Sequence, residues 1–233
     1  MNALTIILLF GSVITGALIV EIFNIKKGKS IQFLLTFSGG YLLAISLVHL
    51  MPMLFTHNTT KYIGILILTG FLIQILLEYF SQGIEHGHFH KSKTIPLSVL
   101  ISLCIHALLE GMPLGGHLHN HAHNTHNALL TGIVLHKLPV SIVLMTFFLQ
   151  SNMVKKKAYL LLLLFALMSP LGVFAGNLFS ILADYHNEIT AIVIGIFLHI
   201  STTILFESSE GHGLSIQKII AIILGAIIAV LSI

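Results

Sequence analysis

Arginine and tryptophan are absent from this 233-residue chain, cysteine occurs once, and only 8% of residues are Asp, Glu, Lys or Arg. A soluble globular domain carries about 25% charged residues, so this chain has too little charge to solvate a surface of its size. Intrinsic disorder is excluded on the same ground, because it needs low hydrophobicity and high charge. The single Cys104 removes any intramolecular disulfide framework and any multi-cysteine zinc or iron–sulfur site. With neither a basic stripe nor an aromatic platform, nucleic acid is excluded as a partner.

Hydrophobic residues make up 56% of the chain and fall into eight apolar segments, at about 2–24, 32–51, 62–80, 95–114, 127–150, 158–183, 189–206 and 216–233. Each approaches the roughly 20 residues that cross a bilayer as a helix. The first segment lacks a basic leader and carries Glu21 near its end, so it reads as a retained helix. Barrel strands would alternate over roughly 10 residues, whereas these runs are uniformly apolar. The expected fold is an all-α polytopic membrane protein, a single transmembrane domain over 1–233 built as an eight-transmembrane-helix bundle.

Lysine sets the expected orientation. The loops after the odd-numbered segments hold Lys26, Lys27, Lys29, Lys91, Lys93, Lys155, Lys156, Lys157 and Lys218, while those after the even-numbered ones hold only Lys61. The excess of positive charge places the odd loops in the cytoplasm and both termini outside.

Histidine is the second anomaly, with fifteen residues against eight acids. His86, His88 and His90 sit in the loop at 81–94, expected in the cytoplasm. His117, His119, His121, His123 and His126 sit in the extracytoplasmic loop at 115–126. Imidazoles alternating with small or polar spacers bind borderline metals, so both loops are read as accessory metal collectors.

Ionisable residues at membrane depth mark functional sites by default. The deep ones are Glu78, His106, Glu110, His136, Lys137 and His199, with Glu21 and His49 nearer helix ends. His106 and Glu110 are four residues apart and share one helix face. An imidazole and a carboxylate so placed form half of a zinc-type site. Gly111 and Pro113 just beyond them predict a loosened helix end. At about 1.5 Å per residue, His106, His136 and His199 lie at about 12, 14 and 15 Å from the outer ends of their segments. Three histidines and a carboxylate thus share one level.

The segments His106-Ala107-Leu108-Leu109-Glu110-Gly111 and His136-Lys137-Leu138-Pro139 resemble the fourth- and fifth-helix signatures of the ZIP family of divalent-metal transporters. Phe37-Ser38-Gly39-Gly40, Val48-His49-Leu50-Met51-Pro52, Ser169-Pro170-Leu171-Gly172 and Gly195-Ile196-Phe197-Leu198 are similar to other family segments. The resemblance implies His106, Glu110 and His136 as metal ligands, and inward transport by an elevator-like movement of helices one, four, five and six against two, three, seven and eight. It also implies departures. Where the family often holds a second metal, this chain has Ala107, Lys137, Val140 and Ser169, so the Lys137 ammonium is expected to replace the second cation. Val140 leaves the first shell one ligand short, with water, Ser141, Met112 and His199 as candidates and His49 as a further pathway residue.

The expected cargo is Zn²⁺, with Fe²⁺, Mn²⁺ and Co²⁺ compatible with the same ligands. No catalytic cofactor is expected; the partners are the lipid bilayer, divalent metal ions and, as a candidate assembly, a homodimer in the cell membrane. Two rival readings come from other classes. An intramembrane metallohydrolase would need a firm third ligand and a separate base, and the His-Glu-x-x-His helix is absent. A haem-binding electron carrier would use paired histidines as axial ligands.

Overall fold

The computed structural model describes residues 3–23, 29–57, 60–81, 83, 97–115, 123–151, 153–178, 185–206 and 215–232. Among them there is no strand. In hydrocarbon every backbone N–H and C=O must find a partner within the protein, and uniformly apolar runs meet that demand as helices. The elements are α1 (Ala3–Phe23), α2 (Lys29–Ile45), α3 (Met51–His57), α4 (Thr60–Ser81), α5 (Leu97–Gly111), α6 (His123–Gln150), α7 (Lys155–Leu178), α8 (His186–Phe206) and α9 (Ile216–Leu231). Seven spans are long and apolar enough to cross a membrane, and α9 is a shorter apolar helix. Large side chains such as Ile7, Leu68, Leu160 and Leu231 point outward, a surface suited to lipid and not to water.

Three boundaries bear on the sequence reading, of which two depart from it and one agrees. The second span does not stop at residue 51, because α2 and α3 join through a π-helical turn at Ser46–Leu50. Pro52 offers no N–H to the preceding turn, and there the Met51 N–H reaches back to the Ser46 carbonyl. The helix before Pro113 does loosen, ending in a 3₁₀ turn at Met112–Gly115. In the third case, α6 begins at His123, so His123 and His126 belong to a helix and not to the loop. His126 Nε2 lies 3.2 Å from Thr5 Oγ1 of α1, a contact that ties this first turn to the bundle. His86, His88, His90, His117, His119 and His121 lie outside the described residues.

The helices pack most extensively in four pairs, α1 with α6, α2 with α9, α4 with α8 and α5 with α7. Glycine makes each crossing close, since small residues let backbones approach where lipid offers no hydrophobic drive for association. A Cβ on Gly111 would collide with the Ser169 carbonyl, and one on Gly172 with the Leu108 carbonyl. Gly70 and Gly195 serve α4 and α8 in the same way, and Gly40 and Gly225 serve α2 and α9. The pairs combine into two groups. Within one, α7 touches α1, α5 and α6; in the other, α2 touches both α8 and α9, and α8 packs on α4. The groups meet where α2 crosses α6 and α4 crosses α5. Tyr41 bridges the first of these boundaries, its hydroxyl donating to the Ala128 carbonyl at 3.2 Å.

Candidate metal centre

The buried face of α5 carries Val99, Leu103, His106, Ala107 and Glu110, residues three and four apart that repeat at the helical period. This spacing turns both polar residues inward toward α6 and α7. On α6, His136 and Lys137 are neighbours about 100° apart around the helix, yet each is only 2% exposed. Both can be buried because α6 packs against α1, α2 and α7.

Glu110 lies at the middle of the cluster and is fully buried. Its Oε2 is 3.4 Å from His106 Nε2, and its Oε1 is ion-paired with Lys137 Nζ. Ser169 of α7 reaches the same oxygen. Its hydroxyl is 2.6 Å from the Ala107 carbonyl and 3.1 Å from Glu110 Oε1, so one proton is shared between two acceptors. The His106 and His136 rings stand edge to face, with centroids 6.1 Å apart. Lys137 Nζ also lies over the Phe165 ring, 4.7 Å from its centroid. The carboxylate is therefore divided, one oxygen held by an ammonium and a hydroxyl, the other turned to an imidazole.

The remaining candidates lie elsewhere. His199 is not brought to Glu110: its Nδ1 is 3.2 Å from Glu78 Oε2 of α4, and its ring meets Phe71 edge-on. Ser141 donates to the Leu138 carbonyl at 2.8 Å and faces Gly16 of α1. Met112 belongs to the 3₁₀ turn after α5, and His49 to the π-helical turn. Glu21, at the end of α1, meets Lys155 and Tyr159 of α7. Among the described residues no three His, Cys, Asp or Glu side chains stand close enough to hold a metal together. Joint ligation by His106, Glu110 and His136 thus requires side-chain movement from this arrangement. Sequence reasoning named position 169 but gave its serine no role, and it missed Phe165. The Gly111/Gly115 and Gly172/Gly176 spacing was the available signal that α5 and α7 meet there.

A bundle of helices long and apolar enough to cross a membrane, with an imidazole–carboxylate–ammonium cluster sealed in its core, has the makeup of a polytopic membrane protein. The family model of the ZIP zinc transporter matches residues 82–232, and the chain belongs to that family. That family is described as a zinc transporter, and the apolar helices of this chain place it among integral membrane proteins. Zinc transporter ZIP9-B of Xenopus laevis is 24% identical over 118 residues, 49% of this chain and 39% of that relative. Zinc transporter ZIP9 of Xenopus tropicalis is 24% identical over 117 residues, 48% of this chain and 39% of the relative. The matched stretch thus covers well under half the length of these relatives.

Proposed function

We propose that this protein imports a divalent metal ion, Zn²⁺ first among them, into the cytoplasm by alternating access, with His106, Glu110 and His136 as the ligands of the transported ion. The reading rests on one observation: a carboxylate with an imidazole beside it, and a second imidazole within reach, converge in the buried core of helices that span the membrane. Placing such groups there is expensive, and groups kept at that cost mark an ion path. The nine-to-one lysine asymmetry supports inward-facing odd loops and outward-facing termini, in a protein we place in the cell membrane.

The whole chain acts as one transmembrane domain, and the ion crosses as α1, α5, α6 and α7 move against α2, α4, α8 and α9. The way these helices pack into two groups supports that division. Lys137 stands where a second metal would otherwise bind, so one ion is carried per site. His199 and Glu78 lie along the path without joining the first shell, and the loop histidines collect ions at its ends. The family's description as a zinc transporter supports transport over both rival readings from the sequence.

Uptake into proteoliposomes, measured for Zn²⁺, Fe²⁺, Mn²⁺ and Co²⁺, tests the proposal together with three single variants. His106→Ala, Glu110→Ala and His136→Ala are each expected to abolish uptake while the protein still folds. Wild-type rates in two of the three would show that the ligands lie elsewhere.

A further inference from the structure

Glu110 needs a cationic partner whenever the cargo is absent. It is fully buried within helices that span the membrane, and an uncompensated carboxylate there carries a heavy desolvation penalty. A carrier that returns its empty site across the bilayer must move that carboxylate with it. Carriers in general can neutralise such a group with a proton or a counter-ion drawn from solution. Here the cation is part of the chain, the Lys137 ammonium on Oε1. Glu78 of α4 has a partner of its own in His199, and Glu21 at the end of α1 has one in Lys155. Lys137 and Glu110 therefore balance one another, and the empty site is neutral as it stands.

The ammonium also has a second partner where it stands. The Phe165 face lies 4.7 Å from Nζ, and an aromatic face attracts a desolvated cation. A dication settling between His106 and Glu110 satisfies the carboxylate and repels the ammonium. The flexible lysine stem then lets Nζ draw back from Oε1 while it keeps the ring it already faces, without exit from the protein interior. Ser169 holds the same carboxylate by its hydroxyl, 3.1 Å from Oε1.

We propose that Lys137 is a tethered counter-cation: it exchanges with the metal ion for Glu110 and neutralises the site while the empty carrier returns. This rests on the transport reading above. Its consequence is that no proton or other ion need travel back, so each Zn²⁺ enters with both of its charges uncompensated.

Two zinc fluxes in proteoliposomes separate the steps. Net uptake into zinc-free vesicles uses the empty return; exchange of labelled zinc outside for unlabelled zinc inside does not. Lys137→Met is expected to lower net uptake by at least roughly tenfold, a modest effect for unpairing a buried carboxylate, while exchange persists. Lys137→Arg keeps the charge and is expected to restore net uptake. Equal loss of both fluxes in folded Lys137→Met protein, or loss of neither, overturns the role. Wild-type protein supplies an independent reading, the charge moved per zinc ion obtained from the potential at which the flux reverses. The full charge of the ion is expected. A smaller value, the mark of a returning proton, overturns the role even where Lys137→Met does not fold. A wild type that neither takes up nor exchanges any of the four metals overturns the transport reading itself.

Discussion

Glu110 of α5 and Lys137 of α6 form a buried ion pair on the one carboxylate that a metal ion in this cluster would use. Removing one partner of a buried pair costs about 3–5 kcal/mol, because the other charge is left uncompensated. A dication that takes over the carboxylate avoids leaving it uncompensated. On the proposed transport reading the pair is stable without cargo and replaceable by it, which a carrier requires of its empty state.

Ser169 refines that arrangement. Its hydroxyl holds Glu110 Oε1 and leaves Oε2 facing His106. A hydrogen bond to a charged group contributes about 1.5–3 kcal/mol, and sharing the proton with the Ala107 carbonyl reduces it. Ser169→Ala is expected to raise the KM for zinc by roughly tenfold with kcat little changed. An unaltered KM in the uptake assay would show that the serine does not orient the carboxylate.

Glycine at the α5–α7 crossing sets where Ser169 falls. A Cβ at Gly172 meets the Leu108 carbonyl, so Gly172→Ala must push α7 off α5 and carry Ser169 away from Glu110. Lower Tm and loss of zinc uptake are expected together. Gly11 of α1 has open space where its Cβ would be, and Gly11→Ala should leave uptake unchanged. Its stability should hold or rise, by up to about 1 kcal/mol from helix propensity. Equal behaviour of the two variants in thermal unfolding would mean that close approach does not decide this packing.

How far the sequence carried can be seen in particular residues. The spans were legible because hydropathy and length decide them. His106 with Glu110 was legible because four residues are one helical turn. Helical depth brought His136 and Lys137 to the same level, but depth says nothing about azimuth. His199 lies at a comparable level and still turns to Glu78, since α8 packs on α4 through Gly70 and Gly195. The extension of α6 to His123 was hidden for a different reason. Alternating His and Asn are weak helix formers, and the contact from His126 to Thr5 of α1 is invisible in the local pattern.

That correction sharpens the expectation for the loops. Replacing His86, His88 and His90, or His117, His119 and His121, with Ser should shift apparent zinc affinity or regulation by a few-fold, because loop imidazoles collect ions outside the buried site. His126→Ser belongs to another class and should act through the α1–α6 contact, lowering Tm before it alters affinity. Complete loss of uptake in either loop variant would place those histidines on the obligatory path.

The place of Lys137 is open to a count of bound ions. With the ammonium present, Coulomb repulsion keeps a second dication from the cluster, so wild-type protein should bind one zinc in the membrane core. Lys137→Asp removes that repulsion and sets a carboxylate beside His136 in sequence, at the helix position from which the lysine reaches Glu110. Two anionic groups with two imidazoles provide the hard and borderline donors that a pair of dications needs. The variant should therefore bind two zinc ions per chain, measured by metal analysis after the loop histidines have been replaced with Ser to silence their contribution. A wild-type core holding two ions would show that the lysine does not exclude the second. A Lys137→Asp core limited to one would show that the ammonium does not stand in a metal's place, and that the second position is closed by the shape of the cavity and not by charge.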